Sequence, residues 1–201
     1  MPSFKVQVLL LATCCMSLLA ACAVPGSVRP TVKIGLSAPF EGRHRDLGYE
    51  VLYAVRLAVR LRNEAGGVGG RYLVEFVALN DFGEPEEAIR QARKMAVDPD
   101  MLGVLGGWSP ETARAAAPEY ERLGLVFVAP EADFTGPQPD LPLEPAFSAE
   151  YQALSGGAPP GPAAVWAYAA VNRLLDTLDA LVRSGRDLSR DAVRAALTTD
   201  H

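Results

Sequence analysis

LGVLGGWSPETARAAAPEYERLGLVFVA, residues 102–129, holds two short apolar runs around one helical segment. Ser109 is placed to cap that helix, Pro110 takes its first position, where a missing N–H costs nothing, and Glu111 sets negative charge at the positive end of the helix dipole. Leu123-Gly124 ends it. The strand-like runs are Leu102 to Leu105 and Leu125 to Ala129, the latter continuous and apolar, as in a strand covered on both faces. A strand, a helix and a second strand joined by links of a few residues require a parallel pair with a crossover.

Upstream the unit repeats. Thr31 to Leu36 reads as a strand through Val32, Ile34 and Leu36, followed by the loop Ser37-Ala38-Pro39-Phe40-Glu41-Gly42. From about Leu47 to Ala65, Val51, Leu52, Val55, Ala58 and Val59 fall on one side of a helix and Arg56, Arg60 and Asn63 on the other. Gly66-Gly67-Val68-Gly69-Gly70 stops it. Tyr72 to Leu79 is the second strand, and Pro85 with Glu84, Glu86 and Glu87 opens a helix to about Val97. The turn Asp98-Pro99-Asp100 leads into the third strand. Strict alternation of strand and helix predicts an α/β fold, a doubly wound parallel sheet in three αβα layers spanning residues 31–134.

Beyond that span the composition changes. Residues 135–162 carry seven prolines and four glycines, which reads either as a linker or as a surface excursion around a short helix near Phe147 to Leu154. Within 163–201, Val165, Tyr168, Val171, Leu175, Leu178 and Val182 repeat at helical spacing from Ala163 to Arg183, and Ser189 to Leu197 reads as a last short helix. This C-terminal segment is expected to pack on the lobe.

Met1 to Cys22 runs from Lys5 through an apolar stretch, Val6 to Leu19, to small residues. That is the order of an export signal, predicted over residues 1–21, with 22–30 as a tether. The stretch is shorter than the roughly 20 apolar residues that a bilayer span needs. Leu19-Ala20-Ala21-Cys22 resembles a bacterial lipobox, which implies a lipidated Cys22 and anchoring outside the cytoplasm; a plain secretory signal and an uncleaved anchor are the alternatives.

The 201 residues hold 19 Lys and Arg against 24 Asp and Glu, a net charge of −5, so no basic field invites nucleic acid. Cys14, Cys15 and Cys22 all precede the body, and only His44 and His201 supply imidazole, so metal, thiol and acid–base chemistry have few groups to start from. No catalytic residue or cofactor is expected. Residues 66–70 follow a helix and precede a strand, the reverse of a phosphate loop, so they read as a turn. A doubly wound sheet binds beyond the carboxyl ends of its strands, here in the loops Ser37 to Gly48, Asn80 to Glu84, Gly106 to Thr112 and Pro130 to Phe134. Trp108 and Ser109 stand there either as a ligand contact or as packing and a helix cap.

The order of Val32-Lys33-Ile34-Gly35-Leu36-Ser37-Ala38-Pro39-Phe40-Glu41-Gly42, Asn63-Glu64-Ala65-Gly66-Gly67, Asn80-Asp81, Val104-Leu105-Gly106-Gly107-Trp108 and Leu125 to Pro130 resembles type I periplasmic solute-binding proteins of the branched-chain amino acid group. Phe147, Tyr151, Ala167 to Val171 and Asp191 to Leu197 resemble that family's late segment. The resemblance implies essentially one lobe of a two-lobed receptor, with most of a second lobe missing between Phe134 and Phe147. It also implies a lipid-tethered component of an ABC importer, with a permease partner, that binds a small polar organic solute. The site it implies is Trp108, Ser109, Thr112, Ala132 and Asp133. Glu111 and Asp133 would oppose a solute carboxylate, so an amide, polyol or cation suits the charges better than a free amino acid. A single-lobe protein-interaction module, or a degenerate truncated receptor, is the competing expectation.

Overall fold

The computed structural model describes residues 29–130 and 146–199. Four parallel strands, β1 (Thr31–Ala38), β2 (Leu73–Asn80), β3 (Met101–Leu105) and β4 (Val126–Val128), lie in the order β2-β1-β3-β4. Helices α1 (Arg45–Glu64), α2 (Pro85–Ala96) and α3 (Pro110–Arg122) make the crossovers. Three more follow: α4 (Phe147–Ser155), α5 (Pro162–Arg183) and α6 (Arg190–Thr199). The α/β, three-layer arrangement is the one that the alternation predicts.

Side-chain alternation along β1 sorts the two cores. Val32, Ile34, Leu36 and Ala38 are buried beneath α1 and α5, whose Val51, Val55, Leu174 and Leu178 complete one apolar cluster. On the other side Gly35 leaves room for Met95, in a second cluster with Ala92 of α2 and Ala116 and Tyr120 of α3. α4, inside the proline-rich stretch, packs on α1 through Tyr151, whose hydroxyl donates to the Glu50 carbonyl at 3.0 Å. Glu50 also accepts from the Ala164 amide at 2.9 Å, so a side chain from α1 caps α5.

Two differences from the expected boundaries matter. β1 continues through Ser37 and Ala38, expected in a loop, because its pairing with β2 runs unbroken to Ala38↔Asn80. β4 is shorter than expected and lies at the sheet edge, so Phe127 and Val128 stay half-buried although α3 and α6 flank it. An apolar run signals burial, but it does not show whether a strand has neighbours on both sides. The glycine cluster after α1 is a turn, with Gly66, Gly67, Gly69 and Gly70 all at positive φ.

Candidate functional site

The chain leaves β1 toward β2 on one side and returns to β3 on the other, so the sheet's switch point lies between the ends of β1 and β3. Three loops converge there. The loop after β3 turns back at Gly106, whose amide donates to the Val128 carbonyl at 3.1 Å, and at Gly107, which adopts φ +72°. Trp108 follows, only 8% exposed; its Nε1–H donates to the Ser37 carbonyl at 2.8 Å, and its ring meets Trp166 of α5 edge-on at 5.6 Å. Trp108 therefore clips the loop to β1 and to the late helix, and its indole donor is already engaged by the protein.

Ser109 and Thr112 form a capping box at the start of α3. Thr112 N–H donates to Ser109 Oγ and Ser109 N–H to Thr112 Oγ1, each at 3.2 Å. Thr112 is buried and its hydroxyl donates to the Ser109 carbonyl at 3.0 Å. Half-buried Ser109 is different: its Oγ lies 3.1 Å from Thr112 Oγ1, a contact in which either hydroxyl can donate, and the Ser109 hydroxyl can also rotate toward a solute oxygen. Exposed Glu111 stands beside it. Ala132 and Asp133, the remaining two expected site residues, and Cys22, the expected lipid site, lie outside the described residues.

Sequence reasoning passed over a buried polar pair beneath these loops. Ser37 Oγ donates to Asp81 Oδ2 at 2.8 Å, with the two residues 2% and 1% exposed. Asp81 Oδ1 accepts from Gly83 N–H at 3.0 Å, and burial pushes its carboxyl above the usual range against those two bonds. Asn80 Oδ1 accepts from the amides of Phe40 and Phe82, both at 2.9 Å, so the loops after β1 and β2 share one acceptor. Phe82 is held at φ +55°, uncommon for a bulky residue. The pair of side chains Asn80-Asp81 was the available sequence signal, since Asn and Asp bond their own backbone two residues on.

A cleft of about 700 Å³ lined by Phe82, Glu84 and Arg90 opens beside the loop after β2, and a groove of about 1350 Å³ runs along α5. Neither is lined by Ser109 or Thr112. The rim rather than an enclosed cavity is thus the candidate site, chosen on topology and on its convergent polar groups.

A family model described as periplasmic binding protein matches residues 31–140. An amino acid binding protein of Pseudomonas aeruginosa is 25% identical over 107 residues, 53% of this chain and 28% of the relative. The Leu/Ile/Val-binding protein homolog 7 of Brucella melitensis is 32% identical over 109 residues, 54% of this chain and 26% of the relative. Among solved structures, a protein of Rhodospirillum rubrum assigned to a branched-chain amino acid ABC transporter aligns at 28% identity and a TM-score of 0.48, over 60% of this chain and 32% of that one. The match thus spans roughly a quarter of the length of each of these curated relatives.

Proposed function

We propose, from the premise that this chain belongs to the periplasmic binding protein family, that it is the solute-binding component of an ABC importer, anchored outside the cytoplasm through a lipid on Cys22. It takes a small polar solute of amino-acid or amide type at the rim and performs no catalysis. The observation that carries this reading is the capping box at the switch point, where Ser109 offers a hydroxyl and the start of α3 a field suited to a carbonyl or carboxylate oxygen. The curated relatives are named for binding amino acids, which supports the solute class. Ala132 and Asp133, which follow β4 in the sequence, complete the proposed site on the resemblance alone.

Thermal-shift screening of the full chain against amino acids, their amides and polyols tests the proposal. A solute at 100 times its Kd stabilises by about 2.7 kcal/mol, which raises Tm by roughly 5–10 °C for a domain of this size. Ser109→Ala is expected to remove most of that shift while lowering the unliganded Tm by only about 2–4 °C through loss of the helix cap. A flat response to every solute, or a shift untouched by Ser109→Ala, rejects the site. Recovery of a Cys22→Ser chain in the soluble fraction, with the parent chain in the membrane fraction, is the expected result for the anchor.

A further inference from the structure

The three rim loops are joined by one run of side chains below the surface. Asp81, at the end of β2, holds Ser37 of β1; the Ser37 carbonyl holds Trp108; and Trp108 immediately precedes Ser109. On its other oxygen Asp81 holds Gly83, while its neighbour Asn80 holds Phe40 and Phe82. None of this is needed to build the sheet, whose ladder between β1 and β2 is complete without it. We infer that Asp81 is a positioning residue for the rim, and that its charge sets solute affinity: a solute presenting a carboxylate to Ser109 is held more tightly when Asp81 is protonated. The inference rests on the solute-binding reading and adds proton linkage to it.

The sign follows from electrostatics. An ionised carboxylate that is 1% exposed has little water to screen it, so its field is damped less with distance than those of exposed Glu84 and Glu111. Protonation removes that repulsion and keeps the geometry, because a carboxyl can donate to Ser37 Oγ while still accepting from Gly83. Burial has already moved the Asp81 carboxyl upward, toward milder pH. Other groups face it. Arg90 holds the carboxyl of Glu87 of α2 below its ordinary value, and burial pushes up the phenol of Tyr120 of α3. From β1 the facing group is the neutral Ser37, while His44 and Glu84 border the same loops, His44 close to Gly83. Their contributions cancel when the parent chain is compared with Asp81→Asn, an isostere of the protonated form.

Two measurements on the full chain decide the matter. The first needs no solute: the indole N–H NMR signals of Trp108 and Trp166, assigned with Trp166→Phe, are followed between pH 4 and 7 in 15N-labelled protein. The Trp108 signal is expected to titrate with Asp81 and to become flat in Asp81→Asn. A signal that is flat in the parent chain overturns the inference. In the second, calorimetric titration with L-leucine is expected to give tighter binding at a pH below the midpoint of the Trp108 titration than at pH 7. L-leucinamide, lacking the carboxylate, is expected to show no tightening, and Asp81→Asn to lose the difference. Leucine binding with equal affinity at both pH values also overturns the inference. Failure of all solutes to bind instead rejects the solute-binding reading, and the indole titration still decides whether Asp81 acts on Trp108.

Discussion

At the residue scale, two glycines show how much of a turn is set by space rather than by flexibility. Gly67 sits at φ +79°, and a Cβ added there would lie 2.0 Å from the Tyr72 carbonyl oxygen, whereas Gly70 at φ +68° faces open space. The Tyr72 carbonyl accepts from the Val68 amide, so it cannot simply move away. Gly67→Ala is therefore expected to destabilise by about 2–4 kcal/mol, combining strain at positive φ with a backbone collision, and Gly70→Ala by about 1–2 kcal/mol from strain alone. Urea unfolding of the two variants side by side is the check; equal losses would mean that the contact with Tyr72 is unimportant. The five-residue cluster was legible as a turn from composition. Which of its glycines meets another strand was not, because that depends on where residue 72 returns.

At the element scale, α2 and α3 are tied across their exposed flanks by Glu119, which accepts from Arg93 at 2.8 Å and is also paired with Arg122. These two guanidinium groups pull the Glu119 carboxyl down to about 2. A depressed carboxyl contributes stability that is fully present above its unfolded value near 4.5 and is lost as pH falls toward 2. Thermal unfolding between pH 6 and 2 should thus show a steeper acid loss for the parent chain than for Glu119→Gln, and the curves should converge near pH 2. Parallel curves would show that the pair is too solvated to matter. Helical periodicity and caps fixed the positions of α1, α2, α3 and α5 to within a few residues, because those signals are local. The tie between α2 and α3, like the cap that Glu50 provides to α5, joins residues 26 and 114 positions apart, and no local pattern encodes such a pairing.

At the scale of the whole molecule, the four-stranded lobe matches one lobe of the periplasmic-binding-protein fold, and its larger core is built from both ends of the described chain. The rim loops were legible because alternation of parallel strands and helices puts every strand-to-helix loop at the carboxyl ends of the strands, whereas the order β2-β1-β3-β4, and with it the switch point, was not. Its polar chemistry was only half legible: the Ser109 cap is a local signal, whereas the Ser37–Asp81 pair and the engagement of Trp108 with Ser37 arise from three strand ends meeting. The same non-local logic governs folding. α5 lies along α1, with Leu174 against Gly103 of β3 and with Leu175 and Leu178 fully buried, so α5 shares with the sheet and α4 the covering of the apolar residues of α1 and forms the largest part of that contact. Removing residues 146–201 would strip that cover and expose a continuous apolar face, at a cost of about 2–5 kcal/mol for each large side chain lost from the core. A few such losses exceed the 5–15 kcal/mol by which domains are ordinarily stable. Residues 29–130 expressed alone are therefore expected to show no cooperative urea transition and to bind a hydrophobic dye, while the full chain unfolds in a single step. A sigmoidal transition of undiminished midpoint in the fragment would mean that α5 is an appendage and that the β1–β4 unit holds its core without it.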